Sequence, residues 1–105
     1  MPYHVYGIRL KTESPQEKKM MAANPGHLPH KPCVYVGSTW HSPATRYQKH
    51  LTTKTGSKMV KEFHLSMHKR LTAKQPDFAT RDEAETHEQW LAERVRRKGY
   101  AVWSN

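Results

Sequence analysis

Polar and apolar positions alternate at the start of the chain. Over residues 3–10, YHVYGIRL, the last three even-numbered positions are apolar, whereas the odd-numbered ones include a glycine and an arginine. A period of two is typical of a strand with one face in water. A second strand is predicted over residues 33–38, CVYVGS, after a proline-rich loop (11–32) that contains a short helical turn near Gln16–Ala23. We expect the two strands to pair antiparallel around this loop.

A Ser-Pro pair at residues 42–43 predicts the start of a helix, because serine is a good N-cap and proline suits the first helical position. This helix is predicted to run to about Thr52. Residues 57–64 predict a second short helix, and residues 65–71 fit either a third strand or a helix. The apolar stripe of the first helix consists of Ala44, Tyr47 and Leu51.

The clearest element is a long helix near the end of the chain. Thr80 and Glu83 have the spacing of a capping box, and acidic residues follow in the first turn. Basic residues gather at the other end, as the helix dipole favours, and Gly99 ends the helix. The remaining segment, YAVWSN, is predicted to form a short strand or an extended tail.

The composition indicates one basic domain. A chain of 105 residues that is 35% hydrophobic is expected to form a single domain over residues 1–105 with one modest core. Eighteen Lys and Arg against nine Asp and Glu give a net charge of +9, which favours polyanionic partners: DNA, RNA or an anionic membrane. The membrane is the weakest candidate, because no apolar run approaches the ~20 residues that span a bilayer.

The single cysteine bears on the cellular compartment. Cys33 cannot form an internal disulfide, and the first residues lack the charged and apolar regions of a signal peptide. Both observations fit a reducing, cytoplasmic environment. Because Cys33 opens a strand-like run, we expect it to be a small core residue.

A basic pair lies on the helix that starts at residue 43. Arg46 and His50 are four residues apart, so both side chains leave the same face of the helix. That face is rotated from the apolar stripe and follows closely on the strand that carries Tyr35. A guanidinium beside an imidazole can clamp a phosphate. The plainer interpretation is a solvated helix face in a protein rich in both residue types.

An acidic residue interrupts the apolar stripe of the last helix. Glu88 lies between Ala84 and Leu91 at the spacing of buried positions. Burying an unpaired carboxylate is costly, so Glu88 requires a basic residue, hydrogen-bond donors or a metal ion as its partner. The alternatives are a glutamate at the edge of the stripe, either in solvent or paired with Arg46. Glu85, one turn earlier, is the rival metal ligand.

Taken in order, these features resemble the GIY-YIG nuclease domain. HVY at residues 4–6 stands where that family has Gly-Ile-Tyr, and YVG at residues 35–37 stands where it has Tyr-Ile-Gly. The arginine and histidine, a helix with a glutamate and a late asparagine follow, so the resemblance covers nearly the whole chain. It implies an α/β protein of the α+β type, with a small three-stranded, mainly antiparallel sheet flanked by helices. It also implies metal-dependent endonucleolytic hydrolysis of phosphodiester bonds in DNA.

The resemblance assigns roles to individual residues. Glu88 matches the metal-binding glutamate, and a single carboxylate with water ligands suits Mg²⁺ or Mn²⁺ better than zinc. Arg46 matches the arginine that contacts the phosphate. The general base stays open between the two tyrosines, acting with a lowered pKa, and a relay through His50. The implied catalytic set is Tyr6, Tyr35, Arg46, His50, Glu88 and Asn105.

The alternative function is a basic DNA- or RNA-binding module with the same fold and no catalysis. Branched DNA and RNA are alternative substrates for the enzyme. Trp40, just after the second motif, either stacks on a base or covers the core, and we favour the core. Trp90 is predicted to be a packing residue.

Two pairs of histidines have the spacing of metal ligands. His64 and His68 are four residues apart, and His27 and His30 are three apart. Such spacings arise by chance in a chain with eight histidines, and no cysteine or carboxylate completes a site. We therefore do not predict structural zinc.

Overall fold

Four strands form a mixed sheet in the computed structural model, which describes residues 2–11, 18–28, 31–53 and 57–104. The sheet has the order β3-β1-β2-β4, in which β1 pairs antiparallel with β2 and with β3, and β4 runs parallel to β2. The strands are β1 (His4–Leu10), β2 (Cys33–Thr39), β3 (His64–Met67) and β4 (Ala101–Ser104).

The α+β class and the antiparallel pairing of the first two strands are confirmed, but the predicted three-stranded sheet is wrong. The terminal segment adds a fourth strand, with Cys33 opposite Ala101 and Val36 opposite Ser104. A four-residue strand carries too little alternation to be told from an extended tail. Its parallel pairing is set by the position to which the preceding helix returns the chain, so it could not be predicted from the local sequence.

Five helices are described between the strands. They are α1 (Lys18–Ala23), α2 (Pro43–Thr52), α3 (Lys58–Phe63), α4 (Lys69–Ala73) and α5 (Arg81–Arg97). The predicted caps are confirmed. The Ser42 side chain accepts a hydrogen bond from the backbone N–H of Thr45, and the Thr80 side chain accepts one from the backbone N–H of Glu83. The ambiguous segment 65–71 divides between β3 and α4. Within the described ranges, every helix falls short of the length and apolarity needed to cross a bilayer.

The two faces of the sheet pack against different helices. On one face, apolar residues of β1 and β2 meet α3, and α2 covers this cluster. On the other face, valines of the sheet meet the buried stripe of α5. The first cluster contains Tyr6, Ile8, Leu10, Cys33, Tyr35, Met59, Val60 and Ala101. The second contains Val5, Val34, Val36, Ala84, Leu91, Ala92, Val95 and Val102.

The buried face of α2 differs from the predicted apolar stripe. Ala44 is exposed, Tyr47 and Leu51 are half-buried, and His50 is the residue of this helix that is fully buried. His50 follows Tyr47 by three positions and precedes Leu51 by one, so all three lie on the same helical face. The interpretation of His50 as part of a solvated face is therefore wrong, and its polar ring must find partners inside the protein.

Candidate active site

A buried hydrogen bond joins the first motif to α2. The Tyr6 oxygen lies 2.6 Å from His50 Nε2, and the two residues are 1% and 0% exposed. The other ring nitrogen, Nδ1, accepts the backbone N–H of Ser57 at 2.9 Å. Because a backbone amide can only donate, Nδ1 carries no proton, and the neutral ring holds its proton at Nε2. His50 therefore donates to the Tyr6 oxygen.

The electrostatic surroundings keep His50 neutral. Burial lowers its pKa to about 4, and the positive charges of Arg46 and Lys61 act in the same direction. Both ring nitrogens are already engaged, so the ring can take a further proton only at Nδ1 and only by losing the bond to Ser57. In this arrangement His50 orients Tyr6 by donating a hydrogen bond, and it is poorly placed to receive the tyrosine's proton.

The second motif packs directly against this pair. The ring of Tyr35 lies edge-on to His50, with centroids 5.2 Å apart, and 6.2 Å from the ring of Tyr6. Gly37 faces Tyr6 across the strand pair. A Cβ at Gly37 would lie 2.6 Å from the Tyr6 oxygen and 2.9 Å from Cε1 of Tyr35. The glycine of the YVG triplet therefore leaves the space that the two phenol rings occupy.

The positive charge of Arg46 acts on the Tyr6 phenol. Burial raises the pKa of Tyr6 well above its ordinary value, and the neighbouring Tyr35 raises it further. The charge of Arg46 and its hydrogen bond to the phenol lower that pKa in part. Tyr6 is thus a neutral phenol at neutral pH, and further positive charge or an anion-stabilising donor near it favours the phenolate.

Arg46 also faces an open cleft of about 640 Å³. The cleft is lined by the chain that leaves β2, by Arg46 on α2 and by the first half of α5. Its lining residues are Tyr3, Ser38, Thr39, Trp40, His41, Arg46, Arg81, Glu85, Glu88 and Gln89. The cleft therefore brings a guanidinium and the carboxylate predicted from the α5 stripe to the same opening.

Glu88 is buried in the wall of this cleft, with 6% of its surface exposed. Burial raises its pKa, the charge of Glu85 raises it further, and hydrogen bonds from Ser38 partly offset the rise. Among the described residues, no basic side chain forms an ion pair with Glu88. The partner that the buried carboxylate was expected to need is therefore Ser38, and Glu88 also lines the cleft.

A divalent cation at Glu88 stays a prediction that rests on one buried carboxylate. No group of three or more His, Cys, Asp or Glu residues that could hold a metal occurs in the part of the chain that the structure describes. A site of one carboxylate, completed by water, is the arrangement that Mg²⁺ and Mn²⁺ tolerate. A cation next to Glu88 would also relieve the two causes that raise its pKa, namely burial of the charge and repulsion from Glu85.

The six residues implied by the resemblance fall into three groups. Tyr6, Tyr35 and His50 form one buried cluster on the α2 side of the sheet. Glu88 lies on the α5 side, and Arg46 is the residue that reaches both the cluster and the cleft of Glu88. Asn105 lies outside the described residues.

Three residues of the site were missed or misjudged from the sequence. Ser57 fixes the tautomer of His50 and also caps α3, and its helix-start position was the only available signal. Ser38, which follows Gly37 directly, is the neighbour whose hydrogen bonding lowers the pKa of Glu88. The preferred prediction for Trp40 is wrong, because Trp40 is 51% exposed at the cleft. Trp90 is also 51% exposed, so the packing role predicted for it is wrong as well.

Comparison of the chain with models of known families, with curated proteins and with solved structures gave no significant match.

Proposed function

We propose that this protein is a GIY-YIG-type endonuclease that hydrolyses phosphodiester bonds in DNA with one Mg²⁺ or Mn²⁺ ion. The observation that carries the proposal is the double position of Arg46, which interacts with the buried Tyr6 phenol and lines the cleft that holds Glu88. Hydrolysis of a phosphodiester needs a phosphate clamp, a base for the attacking water and stabilisation of developing negative charge. Arg46 and Glu88 line one cleft, and Tyr6 is buried outside that lining and interacts with it through Arg46.

Arg46 is the phosphate-binding group. A guanidinium presents two parallel N–H donors to non-bridging oxygens, and its attraction strengthens as charge develops on them. Arg81, the other arginine at the cleft, is held by Glu85 at 2.7 Å. Arg46 is not in an ion pair with any described residue, so its charge is available to an incoming phosphate.

Tyr6 is the candidate general base. Its oxygen already accepts a hydrogen bond from the Nε2–H of His50, and it interacts with Arg46. Both groups stabilise a phenolate. Its pKa is high in the free protein, so its ionisation must be driven by positive charge, which a divalent cation would bring to the substrate complex. A divalent cation bound at Glu88 would stabilise the charge on the phosphate and on the leaving oxygen. Tyr35 packs beside His50 and supports the orientation of the pair.

Cleavage of supercoiled plasmid DNA tests the proposal. We expect nicking in Mg²⁺ or Mn²⁺ that is abolished by EDTA. Glu88→Gln should lower the rate by about 10²–10⁴-fold, because losing the metal-binding carboxylate removes several kcal/mol of transition-state stabilisation. Binding of duplex DNA in EDTA should be unchanged or slightly tighter, because the variant loses a negative charge near the phosphate.

Glu85→Gln is the matched control, because Glu85 lines the same cleft but is already paired with Arg81. This variant should keep its rate within about tenfold of the wild type. A rate that falls in Glu85→Gln and not in Glu88→Gln would move the metal site by one helical turn. Tight DNA binding with no cleavage under any metal would instead support the non-catalytic DNA- or RNA-binding module, which the net charge of +9 also fits.

A further inference from the structure

Trp40 and His41 form an aromatic stack in the lining of the cleft, with Trp40 exposed and His41 half-buried. Their ring centroids are 4.0 Å apart with an interplanar angle of 31°, and Trp40 is 51% exposed. Both residues line the cleft together with Arg46 and Glu88. Half of a large indole surface is thus left in water within this cleft, although the hydrophobic effect disfavours such exposure.

The loop that carries the stack is anchored at both ends. Thr39, the last residue of β2, is buried, and its hydroxyl accepts the backbone N–H of His41 at 3.0 Å. Ser42 follows at once as the N-cap of α2 and accepts the amide of Thr45. The two aromatic residues are therefore held between a strand end and a helix start, and the entropic cost of ordering them on binding is small.

We propose that the Trp40–His41 stack binds an unpaired base of DNA next to the phosphate that Arg46 holds. The proposal rests on the function proposed above and narrows its substrate to DNA with an unpaired nucleotide beside the cut. In a perfect duplex each base is stacked on both faces and has no free face for the indole. An unpaired base can leave the stack and place its free face on an aromatic ring, as single-strand-binding proteins do.

The choice of a nucleic-acid base as the occupant follows from charge. The cleft that holds the stack also presents Arg46, and the protein carries a net charge of +9. Because Arg46, Trp40 and His41 line the same cleft, a strand whose phosphate lies against Arg46 can place a nearby base on the aromatic residues. Neither contact depends on base identity, so we expect tolerance of sequence and preference for structure.

Fluorescence anisotropy with labelled hairpin DNA in EDTA tests the proposal without requiring cleavage. Three probes differ at one position: a fully paired duplex, a duplex with one bulged adenine, and the same bulge with an abasic nucleotide. The wild type should bind the bulged adenine about 5–100-fold more tightly than either other probe, which is the range that base–aromatic stacking provides. In Trp40→Ala this ratio should fall close to one, and Trp40→Phe should keep most of it.

Trp90→Ala is the matched control, because Trp90 has the same 51% exposure but lies on α5 outside this cleft. It should keep the wild-type ratio. Thermal unfolding should show that both alanine variants are folded. The proposal would be overturned by a wild-type ratio of one, by a ratio that survives in Trp40→Ala, or by one that falls equally in Trp90→Ala. It would also be overturned if the abasic bulge bound as tightly as the bulged adenine.

The failure of this proposal is separable from the failure of the proposed function. Binding ratios are measured without metal, whereas Glu88→Gln reports on cleavage. A protein that cleaves in Mg²⁺ but shows no preference for the bulged adenine would be a nuclease without the aromatic base site. A preference that depends on Trp40 in a protein that never cleaves would leave the base site standing and the enzyme overturned.

Discussion

Two buried polar networks lie in different parts of this small sheet and differ in what their groups can do. In one, His50 connects the Tyr6 phenol to the backbone of Ser57. In the other, the Asn24 side chain accepts the amide of Val102 at 2.7 Å and donates to its carbonyl at 2.9 Å. Arg96 completes the second network with a bond to Asn24 at 3.2 Å.

The Asn24 network satisfies backbone hydrogen-bonding groups at the edge of the sheet. Val102 belongs to β4, the outermost strand beside β2, and Asn24 pairs with its N–H and C=O as one residue of a further strand would. The amide of Asn24 does not titrate. The network satisfies backbone groups, and its three named residues, Asn24, Arg96 and Val102, do not line the cleft of Glu88.

The Tyr6 network is different because a charged side chain connects it to solvent. Arg46 interacts with the phenol and also lines the cleft with Glu88, so charge arriving in the cleft can act on a buried, titratable group. Burial and hydrogen bonding are common to both networks and thus do not indicate function. The difference that supports the proposed chemistry is a cation, Arg46, that acts on a buried phenol and also lines an open cleft.

The largest expected effect is on catalysis at Tyr6. Tyr6→Phe removes the candidate base and should lower the plasmid cleavage rate by about 10²–10⁴-fold, the usual contribution of general acid–base groups. Stability should fall by only about 1–3 kcal/mol, because the Nε2 proton of His50 loses its acceptor. Single-turnover cleavage and urea unfolding measure the two effects.

Tyr100→Phe is the control for loss of a phenol outside the network, and it should leave both quantities close to those of the wild type. Cleavage at the full rate in Tyr6→Phe would make the Tyr6 network as purely structural as that of Asn24, and the contrast between them would disappear.

The second prediction is the reverse pattern at Asn24. Asn24→Ala leaves the backbone groups of Val102 without the partner that they have at this buried edge, which should lower the free energy of unfolding by about 2–4 kcal/mol. The cleavage rate per folded molecule should stay within about twofold of the wild type, since Asn24 does not line the cleft. Urea unfolding and active-fraction-corrected kinetics are the measurements. A specific loss of cleavage in a fully folded Asn24→Ala protein would show that the two networks are coupled.

The smallest effect is a pH dependence that only one network should show. The pKa of His50 is lowered to about 4 in the folded protein, against about 6.5 in the unfolded chain. The unfolded chain therefore binds the proton first, and stability is lost as the pH falls from about 6.5 to 4, by up to about 3 kcal/mol. His68 and His87, whose pKa values are also lowered, act in the same direction.

Urea unfolding between pH 7 and pH 4 isolates the contribution of His50. The wild type should lose more stability over this range than His50→Gln, which cannot titrate at this position. Asn24→Ala should lose as much as the wild type, because it keeps His50. Equal pH slopes in the wild type and His50→Gln would mean that His50 takes up its proton over the same pH range in the folded and unfolded states. Its pKa would then not be lowered by folding, against the arrangement in which Nδ1 accepts the Ser57 N–H.

Much of the fold could be predicted from the sequence because the signals are local. The alternation of β1 and the apolar run of β2 identified the two strands, and their antiparallel pairing is confirmed. The Ser-Pro start of α2 and the Thr80 cap of α5 placed both helices, because a cap depends on residues within one turn. Glu88 was identified by the same kind of evidence, as a polar residue in an apolar stripe, and it is buried.

The remaining features depend on contacts between residues far apart in the chain. The parallel pairing of β4, the pairing of Asn24 with Val102 and the hydrogen bond between Tyr6 and His50 each join segments more than forty residues apart or depend on where α5 returns the chain. Trp40 was misjudged because its exposure is set by whether a distant element covers it, and none of the described elements does so.

The sequence by itself determined the main strands, the caps and the residue types that chemistry on a phosphate would need, since each follows from neighbours within a few positions. Only the tertiary structure decided which of those residues meet. Arg46 interacts with Tyr6 and also lines the cleft of Glu88, because α2 and α5 pack on opposite faces of the sheet and both contribute residues to the cleft beside the end of β2. The physical reason is that side-chain direction along one helix is local, whereas the distance between two helices is fixed by the packing of the whole sheet between them.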